Sequence, residues 1–265
     1  MSKENALSHL MEMKQLGEKI ACMTAYDATF ARLLENAGVD VVLVGDSLGM
    51  VLQGAKDTLN VTMDNMVYHT SMVSKGLSDT LLVSDLPNDS YKDADSALAN
   101  ARRLTEEGGA DMIKLEGGRE ILEQIRAIRD AGIEICGHLG LQPQSIRKYG
   151  GYKVQGRNEE DAERILEDAL KLEELGVKMI VLECIPRTLA AEITRATSIP
   201  IIGIGAGSEC DGQILVLYDV IGISGYIPKM ANDFLKGSDS IENAVRSYVE
   251  SVKAGTFPTI EQSFE

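Results

Sequence analysis

The chain reads as an α/β protein, a (β/α)8 barrel. Three observations predict this: a repeated helix-to-strand signature, strand runs apolar on both faces, and ionisable residues at the far end of those runs. The signature is Ala37-Gly38-Val39-Asp40, Gly108-Gly109-Ala110-Asp111, Ala131-Gly132-Ile133-Glu134 and Leu175-Gly176-Val177-Lys178, each closing a helical stretch and opening an apolar run. Glycine suits a helix end because it takes positive φ without a Cβ clash.

Taken in order, a helix is expected over residues 6–14 and the first strand over 20–24. Further strands are read at 41–44, 81–83, 112–115, 135–141, 179–182 and 199–204, short and rich in Val, Ile and Leu as buried parallel strands are. Between them, Ala94, Ala97, Leu98, Ala101 and Leu104 form a helical stripe, as do Ala162, Ile165, Leu166, Ala169 and Leu170. Asn158 caps the second stripe, and the acids after it suit the positive end of the helix dipole. Residues 143–157 read as a long, mobile loop after the fifth strand, and residues 241–253 as a closing helix. No linker or charge block interrupts the chain, so residues 1–265 are expected to form one catalytic barrel domain with an added helix at each terminus. Alternation implies parallel pairing with right-handed crossovers but not closure, so a doubly wound open sheet is the runner-up.

Composition narrows the class. The chain has 265 residues, 44% of them apolar, enough for a sizeable core. Its 26 basic residues face 41 acidic ones, a net charge of −15 that argues against nucleic-acid binding. The four cysteines (Cys22, Cys136, Cys184 and Cys210) form no C-x-x-C pair, which points away from disulfides and thiolate zinc and towards a reducing cytoplasm. The start, Met1-Ser-Lys-Glu-Asn-Ala, lacks the order of a signal peptide, and no apolar run reaches the roughly 20 residues that span a bilayer.

Ionisable residues recur where the apolar runs end: Asp46-Ser47, Asp85, Lys114 with Glu116, His138 and Glu183. In a parallel barrel all strands end on one rim, where ligands bind, so these side chains are expected to converge. Lys114 and Glu116, two apart on one strand, point the same way. An acid past a strand often caps the next helix instead, but Pro87 and Pro186 weaken that reading for Asp85 and Glu183. Lys114 within an apolar strand is costly unless paired. A lone histidine at a strand end is more often structural than catalytic, so His138 is read as a substrate contact or a supporting residue. His9 and His69 fall on expected helices, and Met63, Met66 and Met72 on a core or pocket face.

Electrostatics selects what such a cluster holds. Two carboxylates about 4 Å apart repel by about 4 kcal/mol at an effective dielectric near 20. Several with one lysine need a cation or a proton between them. Oxygen donors without a Cys/His set favour Mg²⁺ over zinc. That implies an anionic substrate offering two oxygens, such as a 2-oxo acid, with the metal polarising the keto oxygen and a remaining carboxylate acting as base. The glycines in Gly203-Ile-Gly205-Ala-Gly207-Ser208 do not complete a dinucleotide fingerprint, and no P-loop, G-x-S-x-G or H-E-x-x-H motif occurs.

Seven ordered motifs carry a family resemblance: Met23-Thr-Ala-Tyr-Asp27, Val44-Gly-Asp-Ser-Leu-Gly-Met50, Ser84-Asp-Leu-Pro87, Ile113-Lys-Leu-Glu-Gly-Gly118, Gly137-His-Leu-Gly-Leu-Gln-Pro-Gln144, Val181-Leu-Glu-Cys-Ile-Pro186 and the glycine segment from Gly203 through Leu215. Together they resemble ketopantoate hydroxymethyltransferases over about residues 3 to 260. The resemblance implies a Mg²⁺-dependent transferase that moves a hydroxymethyl group from 5,10-methylenetetrahydrofolate to 3-methyl-2-oxobutanoate, giving 2-dehydropantoate on the route to pantothenate. It implies Asp46 and Asp85 as metal ligands with Glu116 completing the sphere through water. Asp46, Ser47, Asp85 and Lys114 become keto-acid contacts, and Glu183 the base at C3 of a Mg²⁺-stabilised enolate. It also implies a homo-oligomer, often a decamer. Three places depart from the family's usual pattern: Asn88-Asp89 after the Asp-Leu-Pro motif, Gln142 in place of threonine, and Tyr218 in place of histidine in the last strand region.

Two rival readings differ from this one. Enzymes of the phosphoenolpyruvate mutase and isocitrate lyase type share acidic strand ends, but Cys136-Gly137-His138 lacks the lysines of their catalytic loop. A catalytically silent barrel would tolerate loss of a ligand or base, whereas every such position is filled here.

Overall fold

Eight parallel strands pair in sequence order and close on themselves: β1 (Ile20–Thr24), β2 (Val41–Val44), β3 (Leu81–Asp85), β4 (Met112–Glu116), β5 (Glu134–Gly140), β6 (Met179–Glu183), β7 (Ile201–Ile204) and β8 (Gly212–Leu215). In this computed structural model residues 3–265 are described, and the first two residues of the N-terminal hexapeptide lie outside them. Closure rests on the β1–β8 seam, where Ile20 pairs Gly212, Ala21 pairs Gln213, Cys22 pairs Ile214 and Met23 pairs Leu215. That register removes both sheet edges and excludes the open, doubly wound alternative.

Alternation along each strand builds two cores. Residues such as Ile20, Cys22, Val41, Leu43, Leu81, Val83, Met112, Cys136, Met179 and Val181 fill the barrel interior. Their neighbours, including Ala21, Met23, Val42, Val44, Leu82, Ile113, Ile180 and Leu182, face outward against the helices. Side chains two apart on a strand share a face, so the inward set of β3 runs Leu81, Val83, Asp85, that of β4 Met112, Lys114, Glu116, and that of β6 Met179, Val181, Glu183. The interior is apolar where the strands begin and ionisable where they end.

The helices are α1 (Lys3–Leu16), α2 (Ala28–Asn36), α3 (Leu48–Val51), α4 (Met63–Ser74), α5 (Ala94–Arg102), α6 (Leu122–Asp130), α7 (Ile146–Tyr149), α8 (Glu159–Glu174), α9 (Arg187–Ala196), α10 (Leu217–Val220) and α11 (Ile241–Lys253). Helix α1 is longer than expected at both ends, and its Leu10 and Met13 join the interior cluster with Ile20, Leu81 and Met112, plugging the end where the strands begin. Helix α11 has the expected bounds. Gly38, Gly109, Gly132 and Gly176 all take positive φ, as the helix-ending phrase requires. Asn158 caps α8 by accepting from the Asp161 N–H.

Several details differ from the expectations. Strands β3, β4 and β6 extend to include the acids expected just beyond them, because the ladder continues one or two residues past the apolar run. Strand β8 has no apolar run of its own; pairing with β1 and β7 imposes it. The stretch 143–157 contains a 3-10 turn (Pro143–Ser145) and α7, so it is not featureless loop. Tyr218 lies on the short helix α10, not in a strand, since the Thr24 hydroxyl accepts from the Leu217 N–H and starts a turn directly after β8. All four cysteines are buried free thiols. No helix among the described residues is long and apolar enough to cross a membrane.

Candidate active site

The rim where the strands end surrounds a cavity of about 190 Å³, and Asp46, Ser47, Asp85, Lys114, Glu116, His138 and Glu183 all line it. Asp46, Asp85, Lys114, Glu116 and His138 are each at most 5% exposed, so their charges act without a full hydration shell. None of the four acids caps a helix through its side chain: the capping positions after them are Ser47, Gly118 and Pro186, and α5 is capped by Asp93.

Gly45 makes the turn out of β2 possible. A Cβ there would stand 2.8 Å from Ser47 Oγ and 3.6 Å from Asp85 Oδ2. With only hydrogen in that space, the chain folds onto the carboxylate and the Asp46 N–H donates to Asp85 Oδ2 at 3.0 Å. Lys114 Nζ meets Asp85 Oδ1 as an ion pair at 2.9 Å, the pair being aligned by the β3–β4 register that sets these two residues side by side. Ser47 Oγ lies 2.9 Å from the Tyr26 hydroxyl.

His138 stands between two acids. Its Nδ1 is 3.5 Å from Glu116 Oε1 and its Nε2 is 3.3 Å from Glu183 Oε2. Burial and the nearby Lys114 charge push the ring's pKa down, yet bonding to Glu116 and Glu183 prevails and raises it to about 9. Lys114 Nζ, a donor only, also lies 3.3 Å from Nδ1 and can bond it only in the neutral ring. The flanking carboxylates favour the protonated form.

The carboxylates are under-neutralised. Burial first, then the charges of Asp85 and Glu116, hold the Asp46 carboxyl well above its ordinary range, despite Lys114 and a bond from Gln144. Burial also raises Asp85, although Lys114 pulls the other way. Burial disfavours a charged Lys114, but Asp85, Glu116 and Asp46 more than offset it and hold the ammonium protonated. One lysine thus serves several buried acids, and a hard cation would relieve the remainder. Among the described residues no three His, Cys, Asp or Glu side chains are set to hold a metal directly. The carboxylate oxygens of Asp46, Asp85 and Glu116 on this rim are nonetheless donors of the kind a hard, partly hydrated cation takes.

Two groups in this network were missed from the sequence. Gln144 Nε2 donates to Asp46 Oδ2 and to the Leu86 carbonyl, both at 2.9 Å, and the Gln144 N–H donates to Glu116 Oε2 at 3.0 Å. The Tyr91 hydroxyl donates to Gln144 Oε1 at 2.6 Å. Neither residue is charged at a strand end; Gln144 closes one of the quoted motifs, whereas Tyr91 lies outside all of them. The departures fall elsewhere. Asp89 is in the left-handed region at φ 66 and pairs with Lys92 on the surface. Gln142 accepts from the Tyr149 hydroxyl at 3.3 Å and lines a second cavity on the outer side of β5. The Tyr218 ring lies 6.0 Å from that of Tyr26.

With this geometry in view, the sequence profile of ketopantoate hydroxymethyltransferases matches residues 4–260. The chain belongs to that family. It is 54% identical over 259 residues to the 3-methyl-2-oxobutanoate hydroxymethyltransferase of Nitrosococcus oceani, covering 97% of this chain and 98% of the relative. It is 51% identical over 264 residues to the enzyme of the same name from Methylococcus capsulatus, covering 100% and 98%. Among solved structures it resembles phosphoenolpyruvate phosphomutase from Streptomyces platensis subsp. rosaceus (TM-score 0.62, 14% identity, 83% of this chain and 84% of that one). It also resembles phosphonopyruvate hydrolase in complex with oxalate and Mg²⁺ (TM-score 0.62, 14% identity, 99% and 93%). Those two likenesses show a shared barrel fold and no more. The chain is thus an enzyme, a hydroxymethyltransferase, and the mutase-type reading keeps only its fold.

Proposed function

We propose that this enzyme transfers a hydroxymethyl group from 5,10-methylenetetrahydrofolate to 3-methyl-2-oxobutanoate, giving 2-dehydropantoate for pantothenate synthesis. The observation that carries the reading is the meeting of Asp46, Asp85, Lys114, Glu116, His138 and Glu183 on one closed-barrel rim in a chain of this family.

In this reading Asp46 and Asp85 would hold Mg²⁺, and Glu116 would support it through water. The ion, when bound, supplies Lewis-acid polarisation of the keto oxygen and so acidifies the C3 proton. Lys114, kept protonated by its acids, pairs with the substrate carboxylate, and Ser47 hydrogen-bonds the same end of the keto acid. Glu183 takes the proton from C3, and the His138 ring faces its carboxylate at 3.3 Å. The C3 carbanion then bonds the folate-derived methylene as one of that carbon's two C–N bonds breaks, and water replaces the second nitrogen to leave CH2OH on C3. The proton held by Glu183, together with one from that water, protonates the two nitrogens of the departing tetrahydrofolate. The burial of Asp46, Asp85, Lys114, Glu116 and His138 limits the access of bulk water to the inner wall of the site. Residues 1–265 act as one catalytic domain in the cytoplasm, in a homo-oligomer that we take to be a decamer.

The test is mass detection of 2-dehydropantoate after mixing the protein, the keto acid, methylenetetrahydrofolate and Mg²⁺. Product should form with all four and fail without Mg²⁺. Absence of product from the complete mixture, with folded protein, would overturn the assignment.

A further inference from the structure

Gln144 holds two of the site's acids at once. It sits in the 3-10 turn directly after β5, yet its side chain reaches Asp46 after β2 and its backbone N–H reaches Glu116 at the end of β4. The orientation of its amide is determined by chemistry. The Leu86 carbonyl can only accept, so the amide atom 2.9 Å from it must be the nitrogen, and that nitrogen also serves Asp46 Oδ2. The other end, Oε1, must then accept, and the Tyr91 hydroxyl donates to it at 2.6 Å. Tyr91 is half-buried, and its phenolic hydroxyl is a donor at neutral pH. Its contact with the Glu116 carbonyl is longer, at 3.3 Å, so the proton is committed mainly to Gln144.

We infer that Tyr91 and Gln144 are positioning residues for the metal site: Tyr91 locks the Gln144 amide, and Gln144 in turn sets the directions in which Asp46 and Glu116 present their oxygens. This rests on the proposed Mg²⁺ site and adds to it two neutral residues outside the ligand set. Asp46 is buried in the same cavity as Asp85 and Glu116, so the bond from the Gln144 amide is a neutral support among acids. A carboxylate with one oxygen engaged by an amide leaves the other free for a cation. Partners of this kind typically alter metal affinity by about 10–100-fold when removed.

The experiment compares Tyr91→Phe, Gln144→Met and the double variant, using Mn²⁺ as the probe in a direct binding titration on the full chain. Each single variant should bind Mn²⁺ about 10–100-fold more weakly. The double variant should bind no more weakly than Gln144→Met, because Tyr91 acts through Gln144. The Mg²⁺ concentration for half-maximal rate should rise by a larger factor than the rate at saturating Mg²⁺ falls, a split that general misfolding would not produce. Wild-type Mn²⁺ affinity in Gln144→Met, or losses that multiply in the double variant, would overturn the inference. A second cycle, Gln144→Met with Asp46→Asn, is read by urea unfolding of the metal-free protein. Non-additive effects there support the clamp whether or not metal binds, and additive effects overturn it. If wild-type protein takes up no Mn²⁺, the metal reading fails on its own and the urea cycle alone decides the clamp.

Discussion

His138 Nε2 faces Glu183 Oε2 at 3.3 Å between the adjacent strands β5 and β6, while the other ring nitrogen faces Glu116 on β4. The imidazole thus ties the proposed base to the proposed metal site. The pairing follows from strand register, since Glu116 lies beside His138 on β5 and His138 beside Val181, two residues before Glu183 on β6. Replacing His138 with Asn keeps a polar group but removes the reach to both acids. Exchange of the C3 proton of the keto acid with D₂O should slow by about 10–100-fold, the scale of a displaced catalytic group. Wild-type exchange would show that the ring does not orient Glu183.

Glu183→Gln should fold, bind Mn²⁺ and lose about 10²–10⁴ in C3 exchange and in turnover, the span typical of a positioned base. Exchange is the sharper readout because it isolates proton removal from the folate steps. Unimpaired exchange would move the base to another residue.

Asp85→Ala removes a carboxylate that faces Lys114 and receives the Asp46 N–H. The Mg²⁺ concentration needed for half-maximal rate should rise by at least about tenfold, a ligand mattering no less than its supports. Titration of activity against Mg²⁺ checks this, and an unchanged curve would take Asp85 out of the metal site.

Tyr248 on α11 reaches under the barrel wall, its hydroxyl lying 2.9 Å from both the Cys22 and Gln213 carbonyls. Those residues flank the β1–β8 seam, so a single buried proton helps hold the closure. Tyr248→Phe keeps the ring edge-to-face with Phe234 and Phe257 but leaves the carbonyls short of a donor. The expected loss is about 1–3 kcal/mol, read as a lower urea midpoint.

Glu35 accepts from the backbone N–H groups of Ser78, Asp79 and Thr80, anchoring the approach to β3. Partial burial would raise its pKa, but these bonds lower it below the ordinary value. Its stabilisation is therefore complete above the unfolded carboxylate value and is lost as pH falls through the folded one. Glu35→Gln should cost about 1–2 kcal/mol at neutral pH after allowance for solvent, and the difference from wild type should shrink in acid. Urea unfolding at several pH values measures it.

Fold and site were legible in the sequence to different depths. The strand runs ending in Asp85, Lys114, Glu116 and Glu183 could be read directly, because a buried parallel strand shows its composition locally and the period of two assigns its faces. The helix-ending glycines could be read for a similar reason, positive φ being a property of one residue. Strand β8 could not, since Gly212-Gln-Ile-Leu215 carries no run and becomes a strand only when β1 and β7 supply its partners.

By itself, then, the sequence determined the alternation of elements, the face each strand buries and the kind of donor each strand end offers. Tertiary structure alone decided that the sheet closes, that Lys114 pairs with Asp85, that His138 lies between Glu116 and Glu183, and that Gln144 bridges Asp46 and Glu116. The division is physical: dihedral preference and burial pattern act within a few residues of chain, whereas register and closure depend on groups brought together from distant segments.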